Sequence, residues 1–337
     1  MSTNNHAMDQ FTAHLDRGWD LAQRGDARGA ELSARRALEL EAQSPEAHNL
    51  LGYACALRGE FDEALELYRQ AIALDDTFLE AMLNAAELCI HPLGEMEEAL
   101  VFCNEALDLV ETDEELTDTL LLQFDALLGL GRQDDALAVL GRIPDGPFTS
   151  PAHAFLVGRA FFEMAEFKRA EELLLEAARR DAENPEAPYY LALIRDERGD
   201  VAAATEAFLK TRQLDLLLPH PPWALSSDAF QTAVRRIAES ITPRLRASID
   251  SREIFVSEVP GVEAVVEGAD PRAPVLVDAL DEPGARVRIF VYQRNIERLC
   301  GSLDRLDDEV RGAIEREVAA VLLGDDLAAP PEGTPLN

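Results

Sequence analysis

Residues 45–78 read PEAHNLLGYACALRGEFDEALELYRQAIALDDTF, and this stretch decides the fold. Its first half closes at Gly59, a residue type that lets a chain leave a helix through a backbone conformation a Cβ disfavours. Ala64 follows five residues later. The same pair recurs along the chain. Turn positions fall at Gly25, Gly59, Gly94, Gly131, Ala165 and Gly199, and alanines at Ala30, Ala64, Ala99, Ala136, Ala170 and Ala204. Both series step by 34, 35, 37, 34 and 34 residues. A period of that size means stacked helical hairpins, none of which can bury its apolar face alone.

Within 45–78, Leu51-Gly52, Gly59, Phe61, Ala64, Tyr68 and Ala71 stand at the signature spacings of the tetratricopeptide repeat, and the stretch resembles that family over its whole length. The units in register are 11–44, 45–78, 79–113, 117–150, 151–184 and 185–218. Each is expected to be two helices of about 12–14 residues joined by a tight turn. Small residues at Gly18, Gly52, Ala86, Gly158 and Ala192 let the first helix approach its partner, and the alanines five residues past the turn sit opposite. A second small position, at Ala37, Ala71, Ala106 and Ala177, faces the next unit. The third unit carries one extra turn residue in His91-Pro92-Leu93-Gly94. The fourth is the most irregular, with Phe124 and Ile143 where small residues belong and Glu114-Glu115-Leu116 inserted ahead of it. A distortion there is expected to divide the array into an N-terminal trio and a C-terminal pair.

The chain has 337 residues, 47% of them hydrophobic, and a net charge of −33. Residues 1–218 hold 18 basic and 43 acidic side chains, and residues 219–337 hold 13 and 21. Such a polyanion repels nucleic acid and anionic membrane, whose phosphates need clustered Lys and Arg. No apolar run is long enough to span a bilayer, and the opening MSTNNHAMDQ lacks the regions of a signal peptide. Cys55, Cys89, Cys103 and Cys300 make no ligand spacing and read as packed, reduced thiols of a cytoplasmic protein. Of the basic residues only Lys168 and Lys210 are lysine, a usage that, with the alanine content, points to a GC-rich bacterial genome.

Stacked hairpins of this type present their first helices on a concave face. Counted from the register, the partner-binding groove is expected to carry Trp19, Asn49, Tyr53, Glu87, Phe155, Arg159, Phe162 and Tyr189. Trp19 with Tyr53, and Phe155 with Phe162 and Tyr189, look like anchor pockets for a peptide. Family members that grip a C-terminal carboxylate use several basic groove residues. This face offers Arg159, so an apolar or basic protein segment is the expected partner.

The period stops after Asp215, and Pro219, Pro221 and Pro222 mark a boundary. The organisation expected is a disordered stretch 1–10, repeats over 11–218, a linker 219–227, an α+β domain 228–327 and a disordered tail 328–337. The domain reads as a helix over Asp228–Ile249 broken near Pro243, strands at Glu253–Val259 and Val262–Glu267, a hairpin of Pro274–Leu280 and Val287–Tyr292 joined through 281–284, and helices near Asn295–Leu303 and Asp307–Leu323. The fold class is therefore mainly α, a solenoid followed by a small α+β domain.

Three places in this domain resemble a small bacterial zincin-like metallopeptidase family. They are Phe255-Val256-Ser257-Glu258-Val259-Pro260, Phe290 to Arg298 (FVYQRNIER), and Asp308-Glu309-Val310-Arg311. Active members of that family carry HExxH on the last helix, two histidines binding zinc and the glutamate activating water. The matching positions here are Arg316, Glu317 and Ala320, and all six histidines precede the domain. Arginine keeps its charge and alanine has no donor atom, so neither replaces a ligand. Asp325 and Asp326 stand near the family's trailing acidic residues but do not rebuild a site. The resemblance implies a peptidase fold without its metal, hence no cofactor and no enzyme. The alternative is a zinc peptidase with a non-standard site around Glu317, with a ligand such as His220 borrowed from the linker. No phosphate-binding glycine loop, nucleophile elbow or Cys–His pairing appears.

Overall fold

The computed structural model describes residues 2–280 and 286–323. The chain divides within one helix into two compact units, the first ending at Ala170 and the second beginning at Glu171. The first unit is built of helical hairpins: α1 (Ser2–Gln23) with α2 (Ala27–Leu40), α3 (Pro45–Leu57) with α4 (Phe61–Leu74), α5 (Leu79–Leu88) with α6 (Met96–Leu107), α7 (Asp113–Gly129) with α8 (Gln133–Leu140), and α9 (Pro151–Glu163) leading into α10 (Phe167–Arg180). The second opens with one more hairpin, α11 (Glu186–Glu197) and α12 (Val201–Asp215).

Each hairpin turns on the residue the period singles out. Gly25, Gly59, Gly94, Gly131 and Gly199 have φ of +71° to +78°, and Ala165, the one non-glycine of the series, has φ +58°. Around them the backbone bonds recur. The Asp26 amide donates to Leu21 O and the Gly25 amide to Ala22 O, both at 2.9 Å, and matching pairs form at Glu60/Gly59, Arg132/Gly131, Glu166/Ala165 and Asp200/Gly199. These paired bonds satisfy the carbonyls that a helix end leaves orphaned. In the third unit the extra residue is absorbed by a π-helical turn, Cys89–Leu93, and the Glu95 amide reaches back to Cys89 O at 2.8 Å.

The alanines five residues beyond the turns are buried throughout. A Cβ on Gly52 would stand 2.8 Å from the Tyr68 ring and 3.2 Å from Ala64 O, so this crossing needs glycine.

Two expectations about the array are corrected. No lead-in precedes the repeats among the described residues: α1 begins at Ser2, because nothing before Gly18 breaks a helix. The inserted Glu114-Glu115-Leu116 lie in the first turns of α7, capped reciprocally by Thr112 and Glu115. The fourth unit is irregular as expected, with α8 only 8 residues long and Phe124 and Ile143 buried. Yet the compact units part in α10, not there, because α7 packs on α6 before it and α9 after it.

Beyond α12 the second unit continues with α13 (Ser227–Glu239), α14 (Pro243–Arg246), β1 (Ile249–Ser257), α15 (Val262–Val266), β2 (Val275–Ala279), β3 (Val287–Tyr292), α16 (Gln293–Cys300) and α17 (Leu306–Leu323). The sheet runs β1-β3-β2, with β1 parallel and β2 antiparallel to β3. Ile254, Val275, Ile289 and Val291 form one core with Phe230, Val234 and Ile237 of α13 and Val310, Ile314 and Val318 of α17. The turn 281–284 and the tail 328–337 lie outside the described residues.

The strand expected at Val262–Glu267 is helix α15 instead. Its valines follow a helical spacing: Val265 is buried against Ala204, Ala207 and Phe208 of α12, whereas Val262 and Val266 are exposed. The Ala269 amide then closes the helix on Ala264 O at 2.9 Å, past Gly268 at φ +103°. Burial of one valine against the last hairpin outweighs the strand preference of three.

Four ionic groups fix that hairpin to the sheet domain. Arg272, in the segment between α15 and β2, bonds Glu186 of α11 at 2.7 and 2.8 Å and Asp215 of α12 at 3.1 and 3.2 Å. Asp215 is 2% exposed and also accepts from Arg298 at 2.7 Å. Asn295 donates to Pro271 O and Ala273 O at 2.9 and 2.7 Å, shaping the segment that carries Arg272. The residues expected as a linker are likewise tied down: Arg294 donates to Leu218 O at 2.6 Å and Gln293 to Leu225 O at 2.8 Å.

Two outcomes are expected in urea unfolding. Ala165→Gly stabilises the protein by about 1 kcal/mol, and Gly25→Ala, where the added Cβ meets nothing within 4 Å, destabilises it by a similar amount. Arg272→Met costs about 2–3 kcal/mol, since it leaves the buried Asp215 with Arg298 as its remaining cation, and Arg272→Lys recovers less than half because a single ammonium cannot bridge both acids.

Candidate partner-binding surface

The helix register brings some of the expected groove residues together and disperses others. In the first unit, Trp19 of α1 and Tyr53 of α3 pack with ring centroids 5.4 Å apart at 58°. Both are half-buried, each fixing the other's ring. Beside them lies a cavity of about 260 Å³ lined by Tyr53, Leu57, Tyr68, Asn84, Glu87 and His91. Burial pushes the Tyr68 phenol far above its ordinary range, so it stays neutral. Glu87 is exposed, and no hydrogen bond or ion pair engages its carboxylate among the described residues. Sequence reasoning passed over Tyr68, Asn84 and His91. The signal for His91 was there, one helical turn beyond Glu87 on the same face.

Asn49 is no groove residue. It is fully buried, donating to Glu80 at 3.3 Å and accepting from Asn84 at 3.0 Å, and so staples α3 to α5. An amide at that depth must be satisfied, which drew it into the seam between units.

Phe155, Arg159 and Phe162 lie half-buried on α9, and Phe162 packs on Phe167 at 5.7 Å. Arg159 sits between two carboxylates, 4.0 Å from Asp125 and 3.4 Å from Glu163. Burial raises both acids' pKa, and Arg159 pulls each back. Its cation is therefore engaged within the chain.

Tyr189 belongs to the second unit and is not open to a partner. The Arg272 guanidinium stacks 4.2 Å above its ring, and its hydroxyl donates to Asp270 at 2.9 Å. The anchor position is filled from within the chain by a segment more than 80 residues away, which no local pattern reports.

On α17, Arg316 is exposed and stands 3.6 Å from Glu317, with Ala320 one turn on. Val310, Ile314 and Val318 pack on the sheet as an apolar stripe, and Val321 beyond them is 39% exposed. Asp325 and Asp326 lie outside the described residues. His220 lies between two carboxylates: its Nδ1 is 2.8 Å from Glu297 and its Nε2 3.1 Å from Glu258. All four cysteines are buried and unbridged, and burial pushes Cys55 and Cys300 up to about 11 and Cys89 and Cys103 up to about 12, so none is a ready nucleophile. Among the described residues no helix is long and apolar enough to cross a membrane.

No curated protein matches the chain. Among solved structures, PilF of Pseudomonas aeruginosa is similar at 20% identity, with 62% of this chain and 93% of that one covered and a TM-score of 0.53. PilW, a widely conserved type IV pilus biogenesis factor, is similar at 18% identity, with 63% and 95% covered and a TM-score of 0.52. At such identities the likeness is one of fold. The tetratricopeptide repeat family model matches residues 15–77 and 156–215. Sequence period, left-handed turns and family match agree, and over those two stretches the chain carries tetratricopeptide repeats.

Proposed function

We propose that the protein is an interaction scaffold that holds a partner's peptide segment on the first helices of its N-terminal repeats. Tetratricopeptide repeats serve in general as protein-interaction scaffolds. The observation that carries the reading here is the Trp19–Tyr53 pair set beside a cavity whose carboxylate, Glu87, has no hydrogen-bond or ion-pair partner among the described residues. Tryptophan and tyrosine are the aromatic types enriched at binding hot spots, in pockets that a partner desolvates. Phe155 and Phe162 give a second apolar contact on α9. Four buried, unbridged thiols accord with a cytoplasmic setting.

The C-terminal domain, in this reading, is a zincin-like peptidase fold that has lost its metal ligands and serves as the end cap of the repeats. Arg316 and Ala320 offer zinc nothing, and Glu317 faces an arginine in place of a bound water. His220, the one histidine near the domain, has both ring nitrogens occupied by carboxylates, which disfavours its use as a borrowed ligand.

Two measurements test this. Tyr53→Ala combined with Phe162→Ala abolishes capture of the partner from host lysate while the circular dichroism melting curve keeps its shape; capture that survives removes the groove assignment. Protein purified with added zinc retains less than a tenth of an equivalent and cleaves no casein; stoichiometric zinc with cleavage that Glu317→Gln abolishes establishes a peptidase instead.

A further inference from the structure

The chain displays, within its own second unit, what chemistry a first helix of this solenoid recognises. Arg272 is seated there on an aromatic ring and two carboxylates: its guanidinium lies 4.2 Å over Tyr189 and bonds Glu186 and Asp215. The arginine side chain is 8% exposed there. Arginine suits it because a planar, weakly hydrated fork can stack and bridge at once.

The cavity of the second and third repeats offers aromatic walls and one carboxylate, with no occupant among the described residues. Tyr53, its ring fixed by Trp19, supplies an aromatic wall, and Tyr68 a second. Asn84 and Glu87 supply acceptors, and Glu87 is engaged by no residue described. At about 260 Å³ the space falls below the range of about 300–1,000 Å³ typical of drug-sized ligands and fits one long side chain. A purely apolar occupant would cover Glu87 without satisfying it, which is costly. A phosphate or carboxylate would meet like charge, in a region carrying 43 acidic against 18 basic residues.

The geometry points to this cavity as a seat for an arginine side chain presented by a partner protein's segment, stacked on Tyr53 and paired with Glu87. The inference rests on the reading of that face as the partner surface and narrows the partner to an arginine-bearing peptide.

The test is selection of a random 12-residue peptide library on the full-length protein, followed by titration of the selected peptides. The expected result is arginine enriched at one fixed position. Replacing that arginine by citrulline, or Glu87 by Gln, weakens binding about tenfold, the loss of one charge-assisted hydrogen bond; replacement by lysine weakens it about fivefold, for want of the stacked fork. Melting curves of Glu87→Gln matching the parent exclude misfolding as the cause. Peptides that bind and are lost with Tyr53→Ala/Phe162→Ala, but show no arginine preference or ignore Glu87→Gln, overturn the arginine seat and leave the groove intact. Peptides indifferent to Tyr53→Ala/Phe162→Ala, or no selected peptides at all, overturn the groove reading and the seat with it.

Discussion

Everything in the solenoid depends on how closely two helices of a hairpin can approach. That approach is set by side chains of one carbon or none at the crossing, and by a turn residue able to hold a positive φ. Gly52 against Tyr68 and Ala64 shows how little slack exists, since even a methyl group would collide. Once the crossing is fixed, the direction of each second helix follows, and the next unit has one way to stack. The fourth unit shows what happens when the crossing residue is large. Phe124 occupies the interior, the second helix shortens to 8 residues, and the stack continues only because α7 keeps both its neighbours.

The features legible in the sequence are those decided within about 40 residues. The six turn positions, the buried alanines and the break at Pro243 all follow from local rules, and even Ala165 adopts the left-handed conformation of its glycine counterparts. The features not legible depend on distant partners. Asn49 reads as a surface residue until Asn84 and Glu80 are placed against it. Tyr189 reads as a groove anchor until Arg272 covers it. Val262–Val266 reads as a strand until α12 presents a surface that only one of its valines can reach. In each case the deciding contact joins residues that no periodicity relates. The binding surface was accordingly half visible: Trp19, Tyr53 and Glu87 from register, but not the cavity that Tyr68, Asn84 and His91 help to line.

Acidic surface and arginine-rich cations combine in a consistent way. Carboxylates far outnumber cations, so nearly every arginine within reach of an acid is engaged, from Arg58 with Glu31 and Glu60 to Arg69 with Glu98. Exposed pairs of this kind contribute little stability each. Their effect is on selectivity: with most of the arginines so paired, the excess carboxylates present an unneutralised field to whatever approaches.

The seam between the last hairpin and the sheet domain carries a consequence for how the molecule comes apart. Arg272, Arg294 and Arg298 reach from the α+β domain into the hairpin's carboxylates and carbonyls, and Val265 fills its open apolar side. Sequence places a border at residue 218; energetically there is none. Tied in this way, the hairpin of α11 and α12 is expected to open together with the sheet as one cooperative block. A chain ended at residue 218 would not be a shorter solenoid but one with a raw edge, its final helix exposing Phe208 and an unneutralised Asp215 to water.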